Sequence, residues 1–276
     1  MRRGSHGPGF TAFEVVVVNS SEEEPTRARV AHGCPQARFV QSPTRLLPHD
    51  ARNVGARVSR ARLLVFTDPD CVPAEDWLER LVARADAGAA AVAGSVAPQP
   101  VAGRTEVGAF ACKFRGVLGG GSHVRRFGQT ANFLVERGAF DLVGGFRPGL
   151  FAADVGLCVD LARRGIRVAF EPTAVVRHGY DATLSAFLRE RLARGADFGR
   201  VRPELEGWSS RRSVAQVVAT PLAGIRVTAA TLRAAQAAGL ELGLAGVATV
   251  LAGQLAWVAG EAAGYAGSIR SSISTV

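Results

Sequence analysis

The sequence contains little lysine and few aromatic residues, and both shortages limit the kinds of molecule that we expect the protein to bind. Lys113 is the single lysine among 33 basic residues, so arginine carries nearly all of the net charge of +9. Aromatic residues make up 7% of the chain and do not interleave with the basic ones, which argues against nucleic-acid binding. Arginine binds phosphate through a planar fork of donors. A nucleotide diphosphate or an anionic membrane surface therefore fits the charge, unless the arginine content only reflects genome base composition.

Closely spaced cysteines are also lacking. The four cysteines lie far apart and form no CxxC pair, so we expect reduced thiols in a cytosolic protein. The stretch MRRGSHGPGFTAF at the N-terminus contains no apolar core, so we expect no secretory signal there.

Apolar runs and helical stretches alternate along the chain from residue 13 onward. FEVVVV at 13–18 is a short continuous apolar run, typical of a strand covered on both faces. We also expect strands at 37–41, 62–67, 89–97, 166–170 and 174–178, and helices at 49–61, 75–87, 154–164 and 184–196. This alternation predicts an α/β fold with a doubly wound, mostly parallel sheet and helices on both faces. The Gly-rich stretch 98–127 is expected to be irregular.

The composition changes near residue 210, beyond which Ala, Gly, Val and Leu dominate. Leu242 to Gly260 contains no charged residue and is about long enough to span a bilayer. A buried soluble helix and an interfacial helix remain equally open. We divide the chain into a disordered segment at 1–12, an α/β domain at 13–205 and a helical region, with membrane association as one reading, at 206–276. This division predicts a cytoplasmic protein, with peripheral or C-terminal attachment to the inner face of the cell membrane as the alternative.

Asp68 and Asp70 follow directly after the apolar run 62–67. In an open parallel sheet, ligands bind at the carboxyl ends of the strands. Two carboxylates two residues apart on an extended segment can converge on one Mg²⁺ or Mn²⁺ ion, which would bridge to phosphate. The alternative is a simple turn, because Asp-Pro-Asp suits a turn after a strand.

Three stretches resemble the motifs of family 2 glycosyltransferases, which have the GT-A (nucleotide-diphospho-sugar transferase) fold. The donor-binding stretch 52–82 matches at Arg52, Asn53, Gly55, Asp68, Asp70, Pro73, Trp77 and Leu78. The stretch 128–146 resembles the acceptor-side motif and matches at Asn132, Arg137, Phe140, Gly144, Gly145 and Phe146. The stretch 151–178 resembles the block with the family's Glu-Asp pair and matches at Asp154, Pro172 and His178, whereas Ala153 replaces the Glu.

The resemblance implies a metal-dependent, inverting transfer of a sugar from a nucleotide-sugar donor to an acceptor hydroxyl. Asp70 would be the main metal ligand, assisted by Asp68 and His178, and Asp154 would be the general base. The implied donor-binding residues are Asn19, Arg52, Asn53, Asp68, Asp70, Arg191 and Arg194, and the implied acceptor-binding residues are Asn132 and Trp77. The acceptor itself, a glycan or a lipid-linked sugar, is not indicated.

The residues alone leave simpler roles open for several of these positions. Asp154 could be an N-cap, and His178 could be a satisfied polar group at the end of a strand. Arg191 and Arg194, three residues apart on one helix face, could be solvated.

The resemblance fails at the N-terminus. Family members usually begin with an apolar strand that lies in mid-sheet, before the segment matching 13–18. Residues 1–10 cannot supply it, because Met1 and Phe10 are their only large apolar groups. Its absence would leave backbone groups unpaired. A start placed too late, a strand from a partner polypeptide, or a loss of donor binding would each explain this, and Asn19 stands where a base-binding Asp is usual.

Two other functions compete with sugar transfer. A haloacid-dehalogenase-like phosphotransferase would use Asp68 as nucleophile, Asp70 as acid and base, and Lys113 to steady the phosphoryl group. A degenerate transferase would bind a sugar, a lipid or a partner without turnover, as the missing strand and Ala153 suggest.

Overall fold

The computed structural model describes residues 13–21, 25–100, 103–119, 124–125, 127–149, 152–179 and 183–274. The segment 1–12, predicted to be disordered, lies outside these residues. The strands in the described part are β1 (Val16–Asn19), β2 (Arg38–Gln41), β3 (Leu63–Thr67), β4 (Cys71–Pro73), β5 (Ala91–Pro98), β6 (Val124–Arg125), β7 (Asn132–Glu136) and β8 (Val168–His178). The helices are α1 (Pro25–Gly33), α2 (Pro48–Val58), α3 (Trp77–Asp86), α4 (Arg104–Phe114), α5 (Arg137–Leu142), α6 (Ala153–Arg163), α7 (Leu184–Glu206), α8 (Ser210–Ala237) and α9 (Gly243–Ser274).

The strands form two sheets. The larger sheet has the order β3-β7-β5-β8-β4, with β6 paired to β8, and the smaller sheet contains β1 and β2. The expected α/β architecture with a C-terminal helical region is confirmed. The pairing is mixed rather than mostly parallel, because β7 runs antiparallel to both of its neighbours, β3 and β5. Within the described residues, only the pairs β1–β2 and β5–β8 are parallel.

The two sheets are separate in the described part of the chain, and β1 and β3 lie at the edges that face one another across the gap. Within the described ranges, β1 pairs only with β2 and β3 pairs only with β7, so each of these strands has one edge without a strand partner. Residues 15–18 and 63–65, at these two edges, line the same large cleft. The residues of β1 are therefore half-buried. The prediction that they are covered on both faces was wrong, because no described strand fills the space beside them.

Helix α2 holds the smaller sheet in place. The Ser59 hydroxyl, just after this helix, donates a hydrogen bond of 2.6 Å to Glu14 Oε1, and the Arg60 amide donates one of 3.1 Å to the same atom. Gly55 of α2 faces Val16 and Val18 of β1, which a Cβ atom on the glycine would meet at ordinary contact distance. The smaller sheet thus rests on a helix rather than on a neighbouring strand.

Two local predictions were also wrong. The stretch 98–127 contains α4, whose Phe110 and Phe114 lie four residues apart and are almost wholly buried in the core. The strands predicted at 166–170 and 174–178 form one strand, β8, which begins at Val168. Gly94 pairs with Glu171 and the next residue, Ser95, pairs with Val175, so the interruption is a bulge rather than a strand end.

The C-terminal helices pack closely on the α/β part. A Cβ atom on Gly195 or Gly199 of α7 would lie 2.3 Å or 2.2 Å from a backbone oxygen of α9. A Cβ atom on Gly260 or Gly264 of α9 would lie 2.1 Å or 2.3 Å from a backbone oxygen of α7. Because the two backbones touch, α7 is fixed in position along the cleft. The division into domains at residues 205 and 206 stays a prediction.

Candidate active site

The two aspartates that follow β3 meet a histidine from the end of β8. Asp68 and Asp70 lie in the turn between β3 and β4, and β4 pairs with β8 so that Cys71 faces His178. Nε2 of His178 lies 3.4 Å from Oδ1 of Asp70 and 3.6 Å from Oδ2 of Asp68. A single short pairing of strands therefore brings together three of the predicted site residues.

The orientation of His178 suits a metal ligand. Its Nδ1–H donates to the carbonyl of Gly179, so in the neutral ring the Nε2 lone pair faces the two carboxylates. The side chain is 2% exposed and its ring packs against Phe114, with 4.7 Å between ring centres. A lone pair beside two carboxylate oxygens favours a bound cation.

The donor set fits a hard divalent cation. Ligand atoms of Asp68, Asp70, Cys71 and His178 all lie within 4.8 Å of one another. Burial raises the pKa of the Cys71 thiol, so this side chain stays neutral and is the weakest ligand of the four. Two carboxylates and an imidazole then remain, and Mg²⁺ or Mn²⁺ accepts these ligands.

Arg52 of α2 forms an ion pair with Asp68. Burial favours the neutral acid, but the surrounding positive charge, chiefly that of Arg52, outweighs it, so the pKa of Asp68 lies below its ordinary value. Asp68 is therefore ionised at neutral pH, as a metal ligand must be.

Asp154 lies in the first turn of α6 and lines the same cleft. The N-cap of this helix is Ala152, and no side chain caps it, so the N-cap reading of Asp154 does not apply. Oδ1 of Asp154 accepts a hydrogen bond of 2.8 Å from the amide of Val155. Burial raises the pKa of Asp154, although the charges of Arg52 and Arg194 oppose the rise. A carboxylate with a raised pKa is suited to accept a proton.

The two predicted phosphate-binding arginines of α7 have different surroundings. Arg191 is 8% exposed, its Nη2 donates to Gln254 Oε1 at 3.0 Å, and its guanidinium lies 4.3 Å from the ring centre of Trp257. Arg194 pairs with Glu190 at 2.7 Å. Both arginines line the cleft, but Arg191 also joins α7 to α9.

The structure divides the remaining predicted residues into two groups. Asn19 and Trp77 line the cleft. Asn53 is not among the lining residues. Its Nδ2 donates to the carbonyl of Phe146 at 2.7 Å, and its Oδ1 accepts from the amide of Phe146 at 3.0 Å. Asn132 is wholly buried in the sheet and donates to the carbonyls of Ser95 and Ala174. The donor-binding and acceptor-binding roles of these four residues stay predictions.

Lys113 and Glu190 also line the cleft, although the sequence analysis of the sugar-transfer site did not include them. Lys113 was overlooked because its segment was expected to be irregular. The feature of the sequence that could have pointed to Lys113 is that it is the single lysine in an arginine-rich chain.

A profile described as Glycosyl transferase family 2 matches residues 9–154, which is more than half of the chain. The chain belongs to glycosyl transferase family 2. The family match contains both aspartates of the turn after β3 and ends at Asp154. It gives no support to the haloacid-dehalogenase-like alternative. No curated protein sequence matches the chain.

The fold is similar to that of solved GT-A structures. The mannosyltransferase PcManGT from Pyrobaculum calidifontis, in complex with GDP-Man and Mn²⁺, aligns with 95% of this chain and 70% of its own, at 20% identity and a TM-score of 0.50. A mycobacterial protein aligns with 71% of this chain and 65% of its own, at 22% identity and a TM-score of 0.50. GalNAc-T7 with UDP, GalNAc and Mn²⁺ has 15% identity and a TM-score of 0.48, and the alignment covers 71% of this chain and 45% of that one. The chain thus spans less than two thirds of the last two proteins.

Proposed function

We propose that the protein transfers a sugar from a nucleotide-diphosphate sugar to an acceptor hydroxyl, with a divalent cation held by Asp68, Asp70 and His178. The observation that carries the proposal is the position of His178 Nε2, 3.4 Å from Asp70 and 3.6 Å from Asp68, in a cleft that Asp154 also lines. Membership of family 2 supports sugar transfer. The complex of PcManGT with GDP-Man and Mn²⁺ supports a nucleotide-sugar donor and a divalent cation.

Each side chain has a defined part in this reaction. A cation at the acidic cluster would neutralise the charge that develops on the leaving diphosphate. Arg52 holds Asp68 in its ionised form, and the bond from Nδ1 of His178 to Gly179 keeps Nε2 directed at the cluster. Asp154 takes the proton of the acceptor hydroxyl while the acceptor oxygen attacks the anomeric carbon. A single displacement of this kind inverts the configuration at that carbon.

The acceptor side of the proposal involves the C-terminal helices. Helix α8 and residues 243–268 of α9 are long and apolar enough to cross a membrane, judged by length and composition. The exposed side chains include Val218, Ile225, Leu244 and Leu255, and Arg226 is exposed on α8. We propose that these helices attach the protein to the inner face of the cell membrane, where a lipid-linked sugar or a glycan serves as acceptor.

A second candidate is a non-catalytic member of the family that binds a sugar, a lipid or a partner. The observation that favours it is that one edge of β1 has no strand partner among the described residues, together with the fully buried Ala153 in place of a carboxylate. Asn19 at the end of β1 is engaged by Ser21 and Gln41.

Nucleotide binding separates the two candidates. The full chain is heated with UDP, GDP, ADP or dTDP, each with and without Mn²⁺. A transferase is expected to show a raised melting temperature with at least one nucleotide, and only when Mn²⁺ is present. The same nucleotide-sugar should then be consumed in the presence of acceptor extracts. No shift with any of the four nucleotides would favour the non-catalytic candidate.

A further inference from the structure

Lys113 occupies a fixed position in the cleft. It is the penultimate residue of α4, and its carbonyl accepts a hydrogen bond of 2.8 Å from Nε2 of Gln129. The next residue, Phe114, is 1% exposed and anchors this end of the helix in the core. The lysine side chain therefore extends into the cleft from a rigid base.

A short chain of contacts connects Lys113 to the acidic cluster. Its Nζ lies 5.2 Å from the ring centre of Phe114, and that ring packs at 4.7 Å against His178. Nε2 of His178 in turn lies 3.4 Å from Asp70. The carboxylates of Asp68 and Asp70 favour the charged form of Lys113. The ammonium group thus lies within electrostatic reach of the cluster that would hold the cation.

The surroundings of Lys113 favour a bound anion. Burial and the nearby charge of Arg194 lower the pKa of Lys113, although Glu190, Asp68 and Asp70 oppose this effect. Burial and the like charge of Arg194 each cost free energy in the charged form of Lys113. An anion that reaches Lys113 and Arg194 would remove that cost.

We propose that Lys113, together with Arg194, binds the diphosphate of the donor and stabilises it as the leaving group. The inference rests on the proposed function and adds a phosphate-binding residue to it. As the acceptor oxygen bonds to the anomeric carbon, the bond from that carbon to the phosphate oxygen breaks and its electron pair stays on that oxygen. The acceptor proton passes to Asp154, and Lys113 keeps its own protons and donates hydrogen bonds to the departing diphosphate.

The residue type agrees with this role. An ammonium group is a compact charge with three donors, which suits phosphate oxygens that move as a bond breaks. Every other basic residue counted in the net charge is an arginine. A lysine at this one place therefore differs from the composition of the whole chain.

Binding to Lys113→Met tests the inference. This variant keeps the length of the side chain and loses the charge. We expect its affinity for the nucleoside diphosphate with Mn²⁺ to fall about tenfold or more, the usual effect of losing a hydrogen bond to a charged group. The affinity for the corresponding nucleoside should not change, and Lys113→Arg should recover part of the loss. Arg57→Met, which removes one exposed charge outside the cleft lining, is the matched control.

Chemical labelling gives a second readout that needs no variant. Because the chain has one lysine, limited acetylation followed by peptide mass spectrometry reports on Lys113 alone among side-chain amines. We expect the nucleoside diphosphate with Mn²⁺ to slow this acetylation at least about fivefold, since a bound diphosphate covers the amine.

The outcomes separate the inference from the function on which it rests. If the unaltered protein binds none of UDP, GDP, ADP and dTDP, both fail. If it binds one of them, but acetylation of Lys113 proceeds at the same rate and Lys113→Met binds equally well, the inference alone is overturned. Should Lys113→Met fail to fold, the acetylation rate in the unaltered protein decides.

Discussion

On one side of the cleft, Asp70 and His178 are held by β4 and β8, which pair through three residues at the end of the larger sheet. On the other side, Asn19 ends β1, a strand that pairs only with β2 in the described part of the chain and rests on α2. The side that would carry the chemistry is thus braced by strand pairing. The side that would hold the nucleobase has an open edge. The comparison predicts tight coordination of the cation and diphosphate, and weaker selection of the base.

The largest expected effect comes from the braced side. Asp70→Ala should lower the affinity for the nucleoside diphosphate in Mn²⁺ by about a hundredfold or more, because the cation loses a carboxylate ligand. Isothermal titration measures this, with Asp76→Ala as control, since Asp76 is an exposed carboxylate paired with Arg80. Unchanged affinity in Asp70→Ala would contradict the metal site.

Asp154→Asn should separate binding from turnover. The amide cannot accept the proton of the acceptor, so kcat should fall by about 10²–10⁴-fold while donor affinity stays close to that of the unaltered protein. Steady-state assays with the identified donor give kcat, and titration gives affinity. Turnover that persists in this variant would remove Asp154 from the role of base.

The same substitution should stabilise the fold. Because burial raises the pKa of Asp154 in the folded state, the unfolded chain loses this proton first as the pH rises, and ionised Asp154 then lowers stability. At pH 7, Asp154→Asn should therefore melt higher by roughly 2–4 °C. The difference should shrink as the pH falls below the pKa of the folded protein. A lower melting temperature at pH 7 would show that other interactions of ionised Asp154 outweigh the cost of its burial.

A matched pair of substitutions compares how much a valine contributes to stability in each of the two sheets. Val135 in β7 is fully buried, and Val17 in β1 is half-buried. We expect Val135→Ala to lower the free energy of unfolding by about 2 kcal/mol and Val17→Ala by less than about 1 kcal/mol. Urea denaturation gives both values. Equal losses would show that another segment covers β1 and that its edge is not open.

Local sequence patterns predicted the parts of the site that depend on one segment. The apolar run before Asp68 and the helix beginning near Asp154 were both recognisable, because strands and helices have characteristic patterns of hydrophobic residues. Residues 1–10 lack the apolar residues of a strand, and in the described part of the chain β1 pairs only with β2.

Contacts between segments that are distant in the sequence could not be predicted from local patterns. His178 faces Asp70 because β4 pairs antiparallel with β8, and no local pattern specifies that pairing. Arg191 is buried because Gln254 and Trp257 of α9 pack over it. Helix α4 was missed because glycines lie inside it and on both sides of it. Glycine has a low helix propensity, and tertiary packing overrides that propensity here.

Electron paramagnetic resonance of Mn²⁺ tests the central claim most directly. The full chain is titrated with Mn²⁺ in the presence of the nucleoside diphosphate that raises its melting temperature. The arrangement of Asp68, Asp70 and His178 predicts one bound ion per chain, with a coupling to a histidine nitrogen that disappears in His178→Gln. A spectrum of free aqueous Mn²⁺, or a nitrogen coupling that survives in His178→Gln, would contradict the account.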